Sequence, residues 1–260
     1  MKTIASAPLA ENVMMPQYDR QQLKTRIVHF GFGAFHRAHQ ALLTDRVLNA
    51  QGGDWGICEI SLFSGDRLMS QLREQDHLFT VLEKGANGNQ PIVIGAVNEC
   101  LNARLDSLAA IIEKFCEPQV AIVSLTITEK GYCIDPATGS LDLSNPRIAH
   151  DLQTPTEPHS APGIIVEALH RRRERGLQPF TVLSCDNNPD NGHVVKNAVL
   201  EWRRNVHQNW QPGFRNMSVS QAPWSTALSL PPLKSHWPKL PASWGLPILA
   251  QSAANRLSSG

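Results

Sequence analysis

Paired cysteines, long apolar runs and an excess of charge of either sign are all missing from this 260-residue chain. Its five cysteines, Cys58, Cys100, Cys116, Cys133 and Cys185, stand singly with no C-x-x-C pair. That argues against a disulfide framework and a structural zinc site, leaves no metal centre to expect, and fits a reducing cytosol. No stretch approaches the roughly 18 apolar residues of a membrane span. The first ten residues carry one lysine and only short apolar pieces, too little for a signal peptide. Lys plus Arg (24) against Asp plus Glu (23) leaves a formal +1, which gives no electrostatic reason to expect a nucleic acid or a membrane surface as partner. What is present, 42% hydrophobic and 18% charged residues, describes a soluble cytoplasmic protein of one large or two modest domains.

The near-neutral total hides an uneven chain. Up to Leu200 there are 18 basic and 22 acidic residues; from Glu201 to Gly260 there are 6 basic and 1 acidic. Those last sixty residues also hold five of the six tryptophans, seven prolines and nine serines, with no Asp or Cys. Pro223, Pro231, Pro232, Pro238, Pro241 and Pro247 recur too closely for a helix of useful length, and Trp224, Trp237 and Trp244 beside them show no strand alternation. The expected division is therefore 1–200 as a folded domain and 201–260 as an aberrant Pro/Trp/Ser-rich tail, disordered by composition.

Before residue 200 short Val/Ile-rich runs alternate with helical stretches. RIVHFGFG is followed by a helix over about Ala34 to Asn49 and by WGICEISLF; then come LFTVLEKG, PIVIGAV, a helix near Leu105 to Phe115, QVAIVSLTI, a helix near Ala161 to Arg175, and PFTVLSCD. Such alternation predicts an α/β fold, a Rossmann-type, mostly parallel sheet with helices on both faces.

Gly31-Phe32-Gly33 directly follows the first strand and opens a helix, where backbone N–H groups at the positive end of the dipole could cradle a dinucleotide pyrophosphate. The full G-x-G-x-x-G pattern fails at His36, so an ordinary glycine turn is an equal alternative. Asp66, after the next strand, stands where a carboxylate could grip a ribose 2′-hydroxyl and repel a 2′-phosphate, although a surface-turn aspartate explains it as well. His36 and His39 form H-x-x-H with no Cys or Glu in sequence to complete a metal set, which favours solvated or capping histidines. Two polar segments, Ser124 to Tyr132 and Ser184 to Gly192, fall just past the carboxyl ends of apolar strands, the ligand-binding edge of an open parallel sheet. The amide of Asn187 could donate to a carbonyl oxygen gaining negative charge during hydride transfer.

Gly-Phe-Gly-Ala-Phe-His-Arg-Ala-His-Gln-Ala (Gly31 to Ala41), the SLTITEKGY run and SCDN with its following DNG together resemble the long-chain mannitol dehydrogenase family, over roughly residues 20 to 200. That family includes mannitol 2-dehydrogenases and the fructuronate, tagaturonate and mannonate oxidoreductases. The resemblance implies a zinc-independent oxidoreductase that moves a hydride between NAD and a secondary alcohol of a linear polyol or sugar acid. It places Gly31, Gly33, Phe35, Thr126 and Asp66 at the cofactor and Asn187 at the substrate oxygen. The family often shows two adjacent acids where this chain has Gly65-Asp66, which leaves NADP as an alternative cofactor.

Family members continue with a strand resembling T-M-V-D-R-I-x-P and a helical domain carrying K-x-x-x-x-N-G-S-H, whose lysine is the general base. Neither is present here, so the family's C-terminal helical domain is expected to be missing. Back-translation of Glu201 to Gly260, read one base out of register, is compatible with a peptide containing GTMVDRIVPAATEESL. A single-base loss near Leu200 follows as the expectation, with turnover far below that of an intact relative. Two other readings stay open: a non-catalytic nicotinamide-dinucleotide-binding module, and an interaction protein whose Trp/Pro-rich tail docks a partner.

Overall fold

The structure is a computed structural model and describes residues 12–85, 88–135, 137–186 and 191–209. The chain enters through β1 (Lys24–Phe30), turns at Gly31 to Gly33 into α1 (Ala34–His36), and passes through a π-helical stretch (Arg37–Ala41) into α2 (Leu42–Gln51). Next come β2 (Trp55–Ser61), α3 (Asp66–Glu74), β3 (Phe79–Gly85), β4 (Gly88–Ile94) and β5 (Val97–Asn102). The remainder comprises α4 (Leu108–Phe115), β6 (Ile122–Leu125), α5 (Thr128–Gly131), α6 (Pro146–Gln153), α7 (Ala161–Glu174), β7 (Thr181–Ser184) and α8 (Asn191–Asn209).

Five strands make one parallel sheet in the order β5-β2-β1-β6-β7. The chain runs outward from β1 through β2 to β5, then returns to the other side of β1 for β6 and β7. The strand order therefore reverses between β1 and β6, and their carboxyl ends flank the crevice where ligands bind in open sheets of this kind. Strands covered on both faces must be largely apolar on both, and β1 is, apart from buried Thr25 and His29: Ile27 packs with Leu42, Ile57 and Leu72 on one side, Val28 and Phe30 with Ile111, Phe115 and Ile164 on the other.

The helices start where their side chains can satisfy free backbone N–H groups. Ser107 caps α4 by accepting from Ala110 N, Asn145 caps α6 ahead of Pro146, and Ser160 caps α7 by accepting from Gly163 N. Arg172 of α7 is buried and donates to the carbonyls of Phe115, Glu117, Val120 and Gln178, closing the end of α4 against the entry to β6.

Two expectations about elements need correction. LFTVLEKG and PIVIGAV do not join the parallel sheet: β3 and β4 pair with each other as a separate antiparallel hairpin, from Gly85↔Gly88 to Phe79↔Ile94. The run PIVIGAV breaks at Gly95, where an added Cβ would lie 2.7 Å from Pro16 Cγ and 2.9 Å from Arg20 Cδ, and β5 begins afresh at Val97. The polar edge strand VNECLN carries little hydrophobic signal of its own.

The second correction concerns the boundary at residue 200. Helix α8 runs through it to Asn209, because Val195, Ala198, Val199, Trp202 and Val206 recur on one helical face and are all buried. Trp202 and Val206 pack with Cys133, Leu141 and Ile148, and the Glu201 carboxylate accepts from Leu141 N at 2.6 Å. The folded part therefore includes 201–209, while the rest of the expected tail, 210–260, lies outside the described residues.

An ion cluster between α4 and α7 sets an acid sensitivity. Glu113 meets Arg175 and Arg171, and its hydrogen bond from Arg175 holds its pKa down at about 2. A lowered carboxylate pKa stabilises the fold fully above the unfolded value near 4.5, and the benefit is lost as pH falls toward the folded value. Because Glu113 is 48% exposed, solvent screening limits this to about 0.2–1 kcal/mol. Glu113→Gln is expected to cost that much at neutral pH, less as pH falls through about 2, and nothing well below it, read from urea melts across the range; an equal loss at both ends would refute the assignment.

Candidate functional site

Gly31 is the pivot of the crevice. Its φ of +103° is one that L side chains rarely adopt, and a Cβ built there would lie 2.5 Å from the backbone oxygen of Thr126. Strands β1 and β6 thus approach as closely as only glycine permits. The loop is pinned from below: Gly31 N donates to Ile60 O, and Gly31 O accepts from Gly33 N at 2.7 Å, Thr126 Oγ1 at 2.9 Å and His29 Nε2 at 3.1 Å. Gly33, the N-cap of α1, has ordinary extended angles and open space around it.

The sequence-predicted positions fall as follows. Gly31, Gly33 and Thr126 converge at the carboxyl ends of β1 and β6. Phe35 is the second residue of α1, 56% exposed, with its ring stacked on His39. Asp66 opens α3 at the carboxyl end of β2, after Gly65 at φ +76°, with Arg104 Nη1 3.9 Å away. The turn before it is braced by buried Asn102 of β5, which donates to Ser64 O. A cleft of about 310 Å³ joins Gly31 to Ser61, Phe63, Ile127 and Arg147, so the glycine turn and the end of β2 share one cavity. Asn187 lies outside the described residues.

Its neighbour Asp186 carries a role that the motif reading missed. The carboxylate accepts from Ile127 N (3.3 Å), Thr128 N (3.0 Å) and the Tyr132 hydroxyl (2.6 Å), tying the segment after β7 to the segment after β6. Burial and the Asp186 acceptor together push the Tyr132 hydroxyl pKa upward, so this tyrosine is a donor that keeps its proton. An aspartate directly after one strand, opposite free N–H groups after its neighbour, was the available signal.

The expectation for His36 is overturned. His36 is neither solvated nor a cap: it is 1% exposed, and its Nε2 lies 2.6 Å from Oε1 of Glu59, itself fully buried in the middle of β2. The His29 ring stacks on it at 3.5 Å and 14°, and His29 Nδ1 meets Ser124 Oγ at 2.7 Å. Nearness brings His29, His36 and Glu59 within the span of a metal set, but the nearly parallel rings keep their in-plane lone pairs from converging on one ion, and both His29 nitrogens already have partners. Burial raises the Glu59 pKa against the opposing pull of His36. Burial, aided by His36, drives the His29 pKa well below that of free imidazole, which keeps His29 neutral.

The match to known proteins follows this geometry. The family model for the mannitol dehydrogenase Rossmann domain matches residues 25–219. Over 200 residues the chain is 86% identical to an uncharacterized oxidoreductase, YeiQ, of Escherichia coli (strain K12), covering 77% of this chain and 41% of that protein. It is 54% identical over 202 residues to the D-mannonate oxidoreductase of the same organism, again covering 77% of this chain and 41% of the relative. Among solved structures, Pseudomonas fluorescens mannitol 2-dehydrogenase, in a ternary complex with NAD and D-mannitol, superposes with a TM-score of 0.73 at 43% identity, covering 76% of this chain and 41% of that one. The chain thus spans about two fifths of the length of the relatives it matches. Through its Rossmann domain, it belongs to the mannitol dehydrogenase family.

Proposed function

We propose that this chain is the dinucleotide-binding part of an oxidoreductase that works with NAD on a secondary alcohol of a linear polyol or sugar acid. The observation that carries the reading is the Gly31 turn, a cradle that a single Cβ would fill, at the one place where the strand order reverses. Gly31 and Gly33 would hold the pyrophosphate, Asp66 the adenosine ribose, and Thr126 the loop facing them; Phe35 borders the same turn. Bound NAD supplies the hydride acceptor of the reaction, and the protein supplies orientation. Asn187 would donate to the substrate oxygen.

Proton removal needs a base, and the K-x-x-x-x-N-G-S-H motif of the family is not among these 260 residues. Losing general-base help costs about 10²–10⁴-fold, so the chain as it stands is expected to bind the cofactor with little turnover. We infer a base loss in the coding sequence as the origin of the composition change, at or beyond Leu200, since helix α8 carries the fold to Asn209 and the family match runs to residue 219. Nucleotide sequencing across that point tests this directly: an intact frame, with no family motif in either neighbouring register, would refute it. A frame-restored chain assayed on mannitol, mannonate and fructuronate would then identify the substrate.

Calorimetry with NADH tests the cofactor reading, and NADPH tests the role of Asp66. Like charges 4 Å apart cost ~1 kcal/mol in water, so NADPH is expected to bind about fivefold or more weakly, and Asp66→Asn should narrow that gap while sparing NADH. Equal affinity for both in the unaltered chain would remove Asp66 from the ribose site.

A further inference from the structure

The buried polar groups under the glycine turn are unused by anything described so far, and they cluster on one carbonyl. His29 Nε2 and Thr126 Oγ1 both reach Gly31 O, and they lie 2.9 Å from each other. His29 has no exposed surface, so the donors approach this carbonyl from inside the sheet.

A carbonyl only accepts, so the contact with Gly31 O is made with the hydrogen on His29 Nε2, while Nδ1 lies 2.7 Å from Ser124 Oγ. Gln40, in the π-helical stretch, meets Ser124 Oγ at 2.9 Å and holds that hydroxyl in place. The ring plane is held by stacking on His36, which Glu59 fixes in turn. A row of side chains from β1, β2, β6 and the helix therefore converges on the direction of a single peptide group. The cost is visible below it, where His36 Nδ1 and Glu59 Oε2 are buried without a hydrogen-bond partner.

The peptide between Gly31 and Phe32 is trans, so its C=O and N–H point in opposite directions. With the oxygen drawn inward, the N–H of Phe32 is turned the opposite way, away from those side chains. We propose that His29 and Thr126 are positioning residues that hold this peptide with its N–H toward the crevice, ready to donate to a phosphate oxygen of a dinucleotide. The inference rests on the cofactor reading above and deepens it: the phosphate-binding N–H is aimed by side chains beneath the loop, in addition to the glycines within it. Preorganised donors of this kind strengthen binding because nothing need reorient when the anion arrives.

The test uses the full 260-residue chain, titrated with NADH and, separately, with adenosine, which has the same base and sugar but no phosphate. Thr126→Ala removes one of the two side-chain donors, leaving the Gly33 N–H in place, without adding bulk, and Thr126→Ser restores it. Thr126→Ala is expected to weaken NADH about tenfold, the size of one hydrogen bond's net contribution, to leave adenosine unchanged, and to be rescued by Thr126→Ser. His29→Gln, which keeps an N–H donor on a shorter reach, should weaken NADH with the same selectivity. NADH affinity unchanged in Thr126→Ala, or an equal loss for adenosine, overturns the positioning role. If the unaltered chain binds adenosine but gains nothing from the phosphates of NADH, the cofactor reading itself fails, an outcome distinct from any variant effect.

Discussion

Gly31→Ala is expected to abolish measurable NADH binding and to destabilise the fold, whereas Gly33→Ala, two residues away, is expected to leave stability nearly untouched. The difference lies in backbone angle and surroundings. At Gly31 the φ of +103° belongs to glycine, and the added carbon would meet a main-chain oxygen of the neighbouring strand at 2.5 Å. Holding a non-glycine residue in such a region costs about 1–3 kcal/mol by itself. The clash adds to that, because Thr126 sits at the end of β6, whose register with β1 runs from Ile27↔Ile122 to Phe30↔Leu125, and it cannot retreat alone. Any relief that turns the Gly31 peptide also breaks the contacts of its oxygen with His29 and Thr126. Gly33 has φ −81° and nothing within 4 Å of the added carbon. Urea unfolding and NADH calorimetry on both variants check this; a Gly31→Ala protein that melts with the unaltered chain would show that the close approach of β1 and β6 is not a constraint.

Gly31 was legible in the sequence because its constraint is local: a strand, two glycines and a helix start lie within a few residues. Thr126 entered as part of a polar segment after an apolar strand, and the structure supplies the reason that it matters, its contact across the sheet with a residue 95 positions earlier. His36 and Glu59 were illegible for the opposite reason. A histidine in a helix among Arg37, His39 and Gln40 reads as surface, and a glutamate inside WGICEISLF reads as a solvated alternation; only the packing of helix on strand shows both to be buried and paired. Strand β5 escaped notice because half of its six residues are Asn or Glu. Its place in the sheet comes from pairing with β2, where Cys58↔Glu99 to Ser61↔Asn102 are aligned, and not from its own hydrophobicity. The boundary at residue 200 was set by composition averaged over sixty residues, and averaging concealed that the first nine continue a helix.

Trp202 is where that boundary can be tested with a large signal. The indole is 2% exposed and packs with Ile148, Leu141, Cys133 and Val206, on the side of α8 that faces α6 and α7. Trp202→Ala is expected to cost about 3–5 kcal/mol, the range for a large aromatic removed from a packed core. Ending the chain after Leu200 should cost at least as much, because it removes Trp202 and Val206 together with the Glu201 carboxylate that accepts from Leu141 N. If residues beyond Asn209 derive from an altered reading register, ending the chain there should preserve both the unfolding midpoint and the NADH affinity of the full chain. Urea melts of these three variants and the full chain separate the possibilities. A chain ending at Leu200 that is as stable as one ending at Asn209 would mean that the Trp202 cluster is not part of the folding unit. A chain ending at Asn209 that is markedly weaker than the full 260 residues would mean that the last segment contributes to the fold, and the proposed register change would lose its physical support.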